Sequence, residues 1–246
     1  MLKFTVITIE KNYHEGLLRT LQSLANQIIP NGMSFSHLLC EGTPGSARDL
    51  IHELKLEELS KICSSSDSGL YNGMNRGLDH VTEGWVLFLN AGDTLIGSES
   101  LSRIYDVLKI ATSPVVQFKS NYSDETERPF KPYSHISLFM GRNMHIHPAL
   151  CINLDVVGKV RFDESFRIAA DYKMVIELIQ QFRFQFSDVV VSSFEGGGIS
   201  TRSVEILTEE MGLVRTLVSP RYFSVSLVKL WNLYFSHRVK KRMRDK

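Results

Sequence analysis

Two neighbouring stretches of the sequence decide the fold: Asp67-Ser-Gly-Leu-Tyr-Asn-Gly-Met-Asn-Arg-Gly77 and Trp85-Val-Leu-Phe-Leu-Asn-Ala-Gly-Asp93. The first is a polar loop that runs into a helix, and the second is an apolar strand that stops abruptly at Asn90 and Asp93. Such a strand presents its acid at the carboxyl edge of an α/β sheet, where open sheets bind ligands. A carboxylate there can hold a divalent cation against a diphosphate, because Mg²⁺ prefers one or two carboxylates plus phosphate oxygens and water.

Strand and helix patterns alternate on both sides of these stretches. Residues 4–9 are apolar on both faces and rich in β-branched side chains, as expected of a central parallel strand. A helical period follows and ends at Pro30-Asn-Gly32. Further strands are predicted at 37–40, 85–89 and 115–119, and further helices at 47–60 and 98–110. The alternation predicts an α/β protein with a mostly parallel, doubly wound sheet flanked by helices.

The second half of the chain is less regular. Residues 120–145 are polar and aperiodic and contain Pro129 and Pro132, so we expect a long functional or mobile loop. A strand at 149–152, a helix from about Asp171, a strand at 184–194 and a glycine-rich turn follow. Helical segments at about 203–218 and 222–243 predict a C-terminal extension, which divides the chain into residues 1–202 and 203–246.

Length and composition are those of a globular protein. The 246 residues are 43% hydrophobic and 22% charged, enough for one large α/β domain. Three widely spaced cysteines without a C-x-x-C motif argue against a disulfide framework or a cysteine zinc site and fit a reducing cytosol. Polar residues come too early in the sequence for a signal peptide. No run of 18 consecutive apolar residues is present, so no membrane-spanning helix is predicted.

The net charge of +1 conceals an uneven distribution. Residues 221–246 contain eight basic residues and one acid, a charge of +7, whereas the rest has 20 basic and 26 acidic residues, a charge of −6. Leu227, Trp231, Tyr234 and Phe235 form one helical stripe before the basic cluster. A basic helix with aromatic side chains can lie on an anionic membrane. The alternative is a packed helix with a solvated end; nucleic acid is disfavoured because the remainder is acidic.

Five segments, in this order, resemble the family 2 glycosyltransferases of bacterial polysaccharide synthesis, which have the GT-A fold. They are Thr5-Val-Ile-Thr8, Leu39-Cys-Glu-Gly-Thr43, Asp67-Ser-Gly-Leu-Tyr-Asn-Gly-Met-Asn75, Phe88-Leu-Asn-Ala-Gly-Asp93 and Phe162-Asp-Glu-Ser-Phe-Arg-Ile-Ala-Ala-Asp-Tyr172. The match covers residues 3–200 and looks closest to soluble enzymes of O-antigen and colanic-acid-type exopolysaccharide synthesis. The sequence departs from the family pattern at Ser65 and Asn72, at Glu41 in place of Asp, and in a metal motif whose one acid is Asp93.

The resemblance implies transfer of one sugar, with inversion, from a nucleotide-diphosphate sugar to a saccharide acceptor. Asp93 would bind Mg²⁺ or Mn²⁺ at the diphosphate. Asp171 would be the general base that takes the proton of the acceptor hydroxyl. The alternatives are that Asp93 caps a turn and that Asp171 caps the helix that follows it.

Further side chains are implied to contact the substrates. Glu41 and Asp67 would contact the nucleoside, although Asp67 as a plain turn residue is an alternative, and Thr8 and Glu10 would line the same pocket. Asn75 and Arg76 would lie behind the phosphates, although a solvated Arg76 is an alternative. Asn90 would stand beside the metal or form a turn. His147 would lie near the acceptor; His145 and His147 together make a weak zinc motif because no third ligand is evident.

The implied acceptor is a polyprenyl-diphosphate-linked saccharide, and the implied location is the cytoplasmic side of the bacterial inner membrane. A sugar-phosphate nucleotidyltransferase is a first alternative, but the loop after the first strand, residues 10–16, lacks the glycine-rich basic pattern of those enzymes. The second alternative is a catalytically inactive relative that binds a nucleotide sugar or organises a synthesis complex. The single acid of the metal motif keeps this alternative open.

Overall fold

The computed structural model describes residues 1–45, 47–64, 69–123, 147–196, 204–218 and 231–234. The first half alternates strands and helices. Its elements are β1 (Leu2–Glu10), α1 (His14–Ala25), β2 (Met33–Glu41), α2 (Arg48–Glu53), β3 (Ser60–Ser64), α3 (Leu70–Asp79), β4 (Trp85–Phe88), β5 (Thr94–Leu95), α4 (Ser100–Leu108) and β6 (Val115–Tyr122).

The described part of the second half adds β7 (Leu150–Asn153), the short α5 (Leu154–Val157), α6 (Ala170–Gln181), β8 (Gln185–Phe194) and α7 (Val204–Val218). The eight strands form one sheet in the order β3-β2-β1-β4-β7-β6-β8-β5. Strands β3, β2, β1 and β4 are parallel, β7 runs antiparallel to both of its neighbours, and β6 and β8 are again parallel. The predicted α/β class with helices flanking the sheet is confirmed.

Helices cover both faces of the sheet because its central strands are apolar on both sides. Ile7 and Val86 belong to one buried cluster with side chains of α3 and α6, whereas Val6 and Leu87 belong to another with side chains of α4. Successive residues of one strand thus face opposite layers, as the pleat requires. This burial accounts for the continuous apolar runs of the sequence.

One predicted element is wrong. The helix expected over residues 47–60 ends at Glu53, and residues 60–64 instead form β3, which pairs in parallel with β2. The chain leaves the helix at Lys55, whose φ of 55° lies in the left-handed region and so breaks the helical path. The β3 strand has only one buried residue, Ser60, and therefore lacks the apolar signature of the central strands.

The described part of the C-terminal extension packs on the domain. Met211 and Val214 of α7 lie in the same buried cluster as Val175 and Ile179 of α6. Arg215, which is fully buried, donates a hydrogen bond from Nη1 to Asn232 Oδ1 over 2.9 Å. Within the described residues, no helix has both the length and the apolar character needed to cross a membrane.

Candidate active site

The carboxyl ends of β1, β2 and β3 meet at one edge of the sheet, where Glu10 pairs in register with Glu41 and Glu41 with Ser64. Both glutamates are buried. Glu10 Oε1 accepts a hydrogen bond from the backbone N–H of Tyr13 at 2.8 Å. Glu41 accepts from the N–H groups of Gly45 and Ala47, at 2.8 and 3.2 Å, and from the Ser64 hydroxyl. The two carboxylates therefore hold the loops that follow their strands.

Three other predicted substrate contacts lie near this edge. Thr8 is fully buried, and its hydroxyl is 3.0 Å from Nε2 of His37 in the core. Asn75 exchanges hydrogen bonds of 2.9 Å with both backbone groups of Phe162 and donates to Glu164 at 2.7 Å. Arg76 Nη2 lies 3.5 Å from the Glu41 carbonyl oxygen. Thr8 and Asn75 thus join protein elements, and their predicted substrate contacts remain predictions.

The turn after β4 holds the predicted metal ligand. Asp93 is 4% exposed, and its backbone N–H donates to the Asn90 carbonyl oxygen at 2.9 Å. The Thr20 hydroxyl of α1 donates to the Asp93 carbonyl oxygen at 2.7 Å. Asp93 Oδ1 accepts a hydrogen bond of 3.1 Å from the backbone N–H of Glu195, at the end of β8. Two distant parts of the chain therefore hold Asp93: Thr20 binds its backbone carbonyl group and Glu195 binds its carboxylate.

Glu195 is a site residue that the sequence does not reveal. Its Oε1 accepts a 2.6 Å hydrogen bond from the Tyr13 hydroxyl and forms an ion pair with Arg19. The hydrogen bond to Glu195 is the largest cause that raises the pKa of Tyr13. A Cβ on Gly92 would lie 1.9 Å from Glu195 Oε2. The carboxylate thus rests on the metal-motif turn, about a hundred residues away along the chain, and no local pattern indicates that contact.

The turn at residues 90–93 is compatible with a divalent cation. Asn90 Oδ1 is buried and accepts no hydrogen bond from any residue that the structure describes. An amide oxygen without a donor, three residues from a carboxylate, suits a hard cation. Across the described ranges no three His, Cys, Asp or Glu side chains cluster as a metal site.

A second group of predicted residues surrounds Asp171, in the first turn of α6. The side chain of Asp171 is 21% exposed, and its Oδ2 lies 3.5 Å from Nε2 of His147. Its Oδ1 accepts a 2.7 Å hydrogen bond from the backbone N–H of Tyr172 and is 3.2 Å from the Tyr71 hydroxyl. The helix cap is Ala169, so Asp171 is not the N-cap residue. The structure thus brings together the predicted base and the predicted acceptor histidine.

Asp171 and His147 are the polar members of a narrow pocket of about 10 Å³, space for about one water molecule, with apolar walls that include Phe88, Phe162 and Met174. Tyr71 is buried beside them, and its hydroxyl also donates to the Ile168 carbonyl oxygen. Burial, followed by the negative charge of Asp171, raises the pKa of Tyr71 well above its ordinary value. Tyr71 is therefore neutral at physiological pH, and its one hydroxyl proton is shared between the Ile168 carbonyl oxygen and Asp171 Oδ1.

Some predicted features lie outside the described residues. They are Ser65, Asp67, His145, residues 124–145 of the predicted long loop, residues 197–200 of the glycine-rich turn, the segment 222–243 apart from 231–234, and the basic residues of the tail. The substrate contact of Asp67 and the membrane contact of the tail consequently remain predictions.

No protein-family model matches the chain. The chain is 27% identical over 180 residues to an uncharacterized glycosyltransferase of Mycobacterium tuberculosis, a match that covers 70% of this chain and 67% of that protein. It is 26% identical over 215 residues to a PGL/p-HBAD biosynthesis glycosyltransferase of the same organism, covering 82% and 80%.

Two solved structures share the fold. The structure of residues 1–349 of S. aureus TarS in complex with UDP-GlcNAc matches with a TM-score of 0.69 at 19% identity, over 95% of this chain and 71% of that one. A mannosyltransferase from Pyrobaculum calidifontis in complex with GDP-Man and Mn²⁺ matches with a TM-score of 0.63 at 14% identity, over 90% and 65%.

The fold and these relatives define the class: the chain is a glycosyltransferase with the GT-A fold. The resemblance carried by the sequence is thereby confirmed, and enzymatic activity is favoured over the inactive-scaffold alternative. The roles of individual residues do not follow from the comparisons and are argued below.

Proposed function

We propose that this glycosyltransferase moves one sugar from a nucleotide-diphosphate sugar to a hydroxyl of a saccharide acceptor, with inversion at the anomeric carbon. Asp171 would be the general base, and the turn at residues 90–93 would hold the diphosphate. The observation that carries the proposal is the pairing of Asp171 with His147 in a pocket with apolar walls, within reach of a buried tyrosine hydroxyl.

The surroundings of Asp171 suit a general base. A base must be ionised, oriented and open to the proton that it takes. The Tyr172 N–H and the Tyr71 hydroxyl orient Oδ1, and Oδ2 faces His147. In the proposed step, the acceptor oxygen attacks the anomeric carbon as the bond from that carbon to the diphosphate oxygen breaks. The hydroxyl proton passes to Asp171.

The diphosphate end is proposed at Asp93 and Asn90. A bound Mg²⁺ or Mn²⁺ would neutralise the leaving diphosphate as a Lewis acid. The mannosyltransferase of similar fold is in complex with GDP-Man and Mn²⁺ in its solved structure. This chain's part is to present the Asp93 carboxylate and the Asn90 amide oxygen from one short turn, which Thr20 and Glu195 hold in place.

The acceptor and the location belong to the same proposal. We infer a lipid-linked saccharide acceptor, reached at the cytoplasmic side of the bacterial inner membrane, as part of O-antigen, lipopolysaccharide or exopolysaccharide synthesis. The concentration of basic residues in 221–246 supports peripheral contact with anionic lipid. Leu233 and Tyr234, which are 74% and 52% exposed, add apolar surface to this segment.

A thermal-shift series tests the donor site. UDP, GDP, dTDP, CDP and CMP are each added with and without Mn²⁺, since a ligand of the folded state raises the melting temperature by mass action. We expect one nucleoside diphosphate to raise it, and only with Mn²⁺. Equal shifts without the cation would contradict the metal role of Asp93, and the absence of any shift would contradict the donor site.

Substitution of the proposed base tests the acceptor side. Asp171→Asn keeps the shape but cannot take a proton, so we expect transfer to fall by at least about 100-fold. The nucleotide-induced thermal shift should persist. Asp188→Asn is the matched control, because that exposed carboxylate pairs only with Lys119 on the surface among the contacts described for it. Retained transfer by Asp171→Asn would remove Asp171 as the base.

A further inference from the structure

The C-terminal helix α7 supplies a buried carboxylate to the segment that carries Asp171. Glu210 is 9% exposed. Its Oε1 accepts a 2.7 Å hydrogen bond from the backbone N–H of Arg167. Its Oε2 accepts from the N–H groups of Ile168 and Ala169, at 2.7 and 2.9 Å. A single carboxylate thus binds three consecutive backbone donors.

These donors lie immediately before α6, which begins at Ala170. The N–H groups of Arg167 and Ile168 precede the helix, and the third belongs to Ala169, its cap residue. Buried backbone N–H groups need an acceptor, and Ala169 has no side-chain acceptor to offer. Glu210, more than forty residues later in the chain, supplies that acceptor for the segment that leads into α6. Hydrogen bonds to an ionised carboxylate are among the stronger ones.

Helix α3 also contacts the segment of residues 167–169, through the side chain of Tyr71. The Tyr71 hydroxyl donates to the Ile168 carbonyl oxygen, while Glu210 accepts from the Ile168 N–H. The peptide groups on both sides of this residue are therefore fixed, three positions before Asp171. Since Ile168 and Ala169 are also buried, the backbone has little freedom to rotate where the aspartate side chain begins.

We propose that Glu210 is a positioning residue for the reaction: its carboxylate fixes the backbone from which Asp171 projects, and thereby the direction of the Asp171 carboxylate in the pocket. The proposal rests on the proposed role of Asp171 as general base. Under this proposal, a side chain of α7 helps to orient the base of the acceptor site. Proton transfer depends steeply on geometry, and a misplacement of about 1 Å can cost a factor of about 100 in rate.

The experiment compares Glu210→Gln with Glu177→Gln, the same change at a half-exposed carboxylate on α6 itself. For each variant the melting temperature, the nucleotide Kd, kcat and the acceptor KM are measured. For Glu210→Gln we expect kcat to fall about 10- to 100-fold with an unchanged nucleotide Kd.

A purely structural role gives a different result. A lower melting temperature with unchanged kcat would overturn the proposal, as would an equal loss of nucleotide affinity and kcat. If Glu210→Gln does not fold, Glu210→Asp decides, since it keeps the charge but shortens the reach. Reduced kcat with normal nucleotide binding supports the proposal, and normal kcat overturns it.

The two proposals fail in different ways. If Asp171→Asn is inactive while Glu210→Gln behaves like Glu177→Gln, only the positioning role is wrong. If Asp171→Asn retains transfer, the assignment of the base is wrong, and the positioning role falls with it.

Discussion

Four buried carboxylates of this protein, those of Glu10, Glu41, Asp93 and Glu210, accept hydrogen bonds from backbone N–H groups of loops. A buried charge is costly unless it is paired or hydrogen-bonded, and these loops provide the donors. A carboxylate at a strand end can therefore accept hydrogen bonds from the protein's own backbone as well as bind a ligand. This dual capacity is why the sequence alone could suggest Glu10 and Glu41 as ligand contacts but could not foresee their loop contacts.

Gly92 is the residue on which the fit between the metal-motif turn and Glu195 depends. Its φ is +103°, and a Cβ would meet Glu195 Oε2 at 1.9 Å. We expect Gly92→Ala to destabilise the fold by about 1–3 kcal/mol through overpacking, in addition to about 1–2 kcal/mol of backbone strain. It should also weaken Mn²⁺-dependent nucleotide binding, because displacement of the Glu195 side chain would shift the backbone N–H of Glu195 that donates to Asp93 Oδ1. Thermal melts and nucleotide titrations measure both effects.

Gly97→Ala is the matched control for this prediction. Gly97 also has a positive φ, +64°, but a Cβ there would have no atom within 4 Å. This variant should show the backbone strain alone and bind nucleotide normally. Equal effects of the two variants would mean that the Glu195 contact is unimportant for the donor site.

At the scale of secondary-structure elements, the sequence predicts the buried elements well and the exposed ones poorly. The central strands β1 and β4 and the helix α4 were expected close to their observed limits, because apolar runs and helical periods record what each element covers. The edge strand β3 has one buried residue and therefore lacks an apolar run in the sequence. The antiparallel insertion of β7 between β4 and β6 is a long-range pairing, which no local pattern encodes.

Site elements were predictable to the same degree. The motifs indicated the turn after β4 and the start of α6, and the structure places a carboxylate at each. The partners that orient these carboxylates, Glu195 and Glu210, come from distant parts of the chain. Their identity depends on tertiary packing, so it became visible only in the fold.

Helix α3 approaches the sheet closely at Gly77. A Cβ there would lie 2.5 Å from Ile7 Cγ2 and 3.3 Å from Cys40 Sγ. Since both neighbours are fully buried, we expect Gly77→Ala to lower the free energy of unfolding by about 1–3 kcal/mol, less up to about 1 kcal/mol regained through helix propensity. Urea unfolding measures the change.

Gly212→Ala in α7 separates packing from propensity. The nearest atom to a Cβ at this position is 3.5 Å away, an ordinary contact. The same substitution should therefore stabilise the protein by up to about 1 kcal/mol. A destabilisation equal to that of Gly77→Ala would contradict the packing argument.

At the scale of the whole molecule, a buried histidine in the sheet makes the free energy of unfolding depend on pH. His37 links three strands, with Nδ1 2.8 Å from the Ser60 hydroxyl and Nε2 3.0 Å from the Thr8 hydroxyl. Burial lowers the pKa of His37 from 6.5 to about 3. Between these values the unfolded chain binds a proton that the folded protein excludes. Stability is therefore complete above pH 6.5 and is lost as the pH falls towards 3, by about 1.4 kcal/mol per pH unit.

His37→Gln should remove this part of the pH dependence. Urea unfolding of both proteins at several pH values between about 7 and 5 measures the free energy of unfolding. The wild type should lose about 1 kcal/mol more per pH unit than the variant. His52→Gln is the control, because His52 is exposed and should leave the slope unchanged. Parallel curves for wild type and His37→Gln would contradict the prediction.

The contact of Glu210 with residues 167–169 has a practical consequence for chimeric enzymes. A natural design would exchange C-terminal tails between relatives at the boundary near residue 203, to redirect an enzyme to another surface. Such a graft would import a foreign carboxylate, or none, beneath the proposed catalytic base. A junction after Val218, where α7 ends, would leave Glu210 with its own domain and would exchange only the segment beyond the helix, including Asn232, the partner of Arg215. We expect the later junction to yield active hybrids more often than the earlier one.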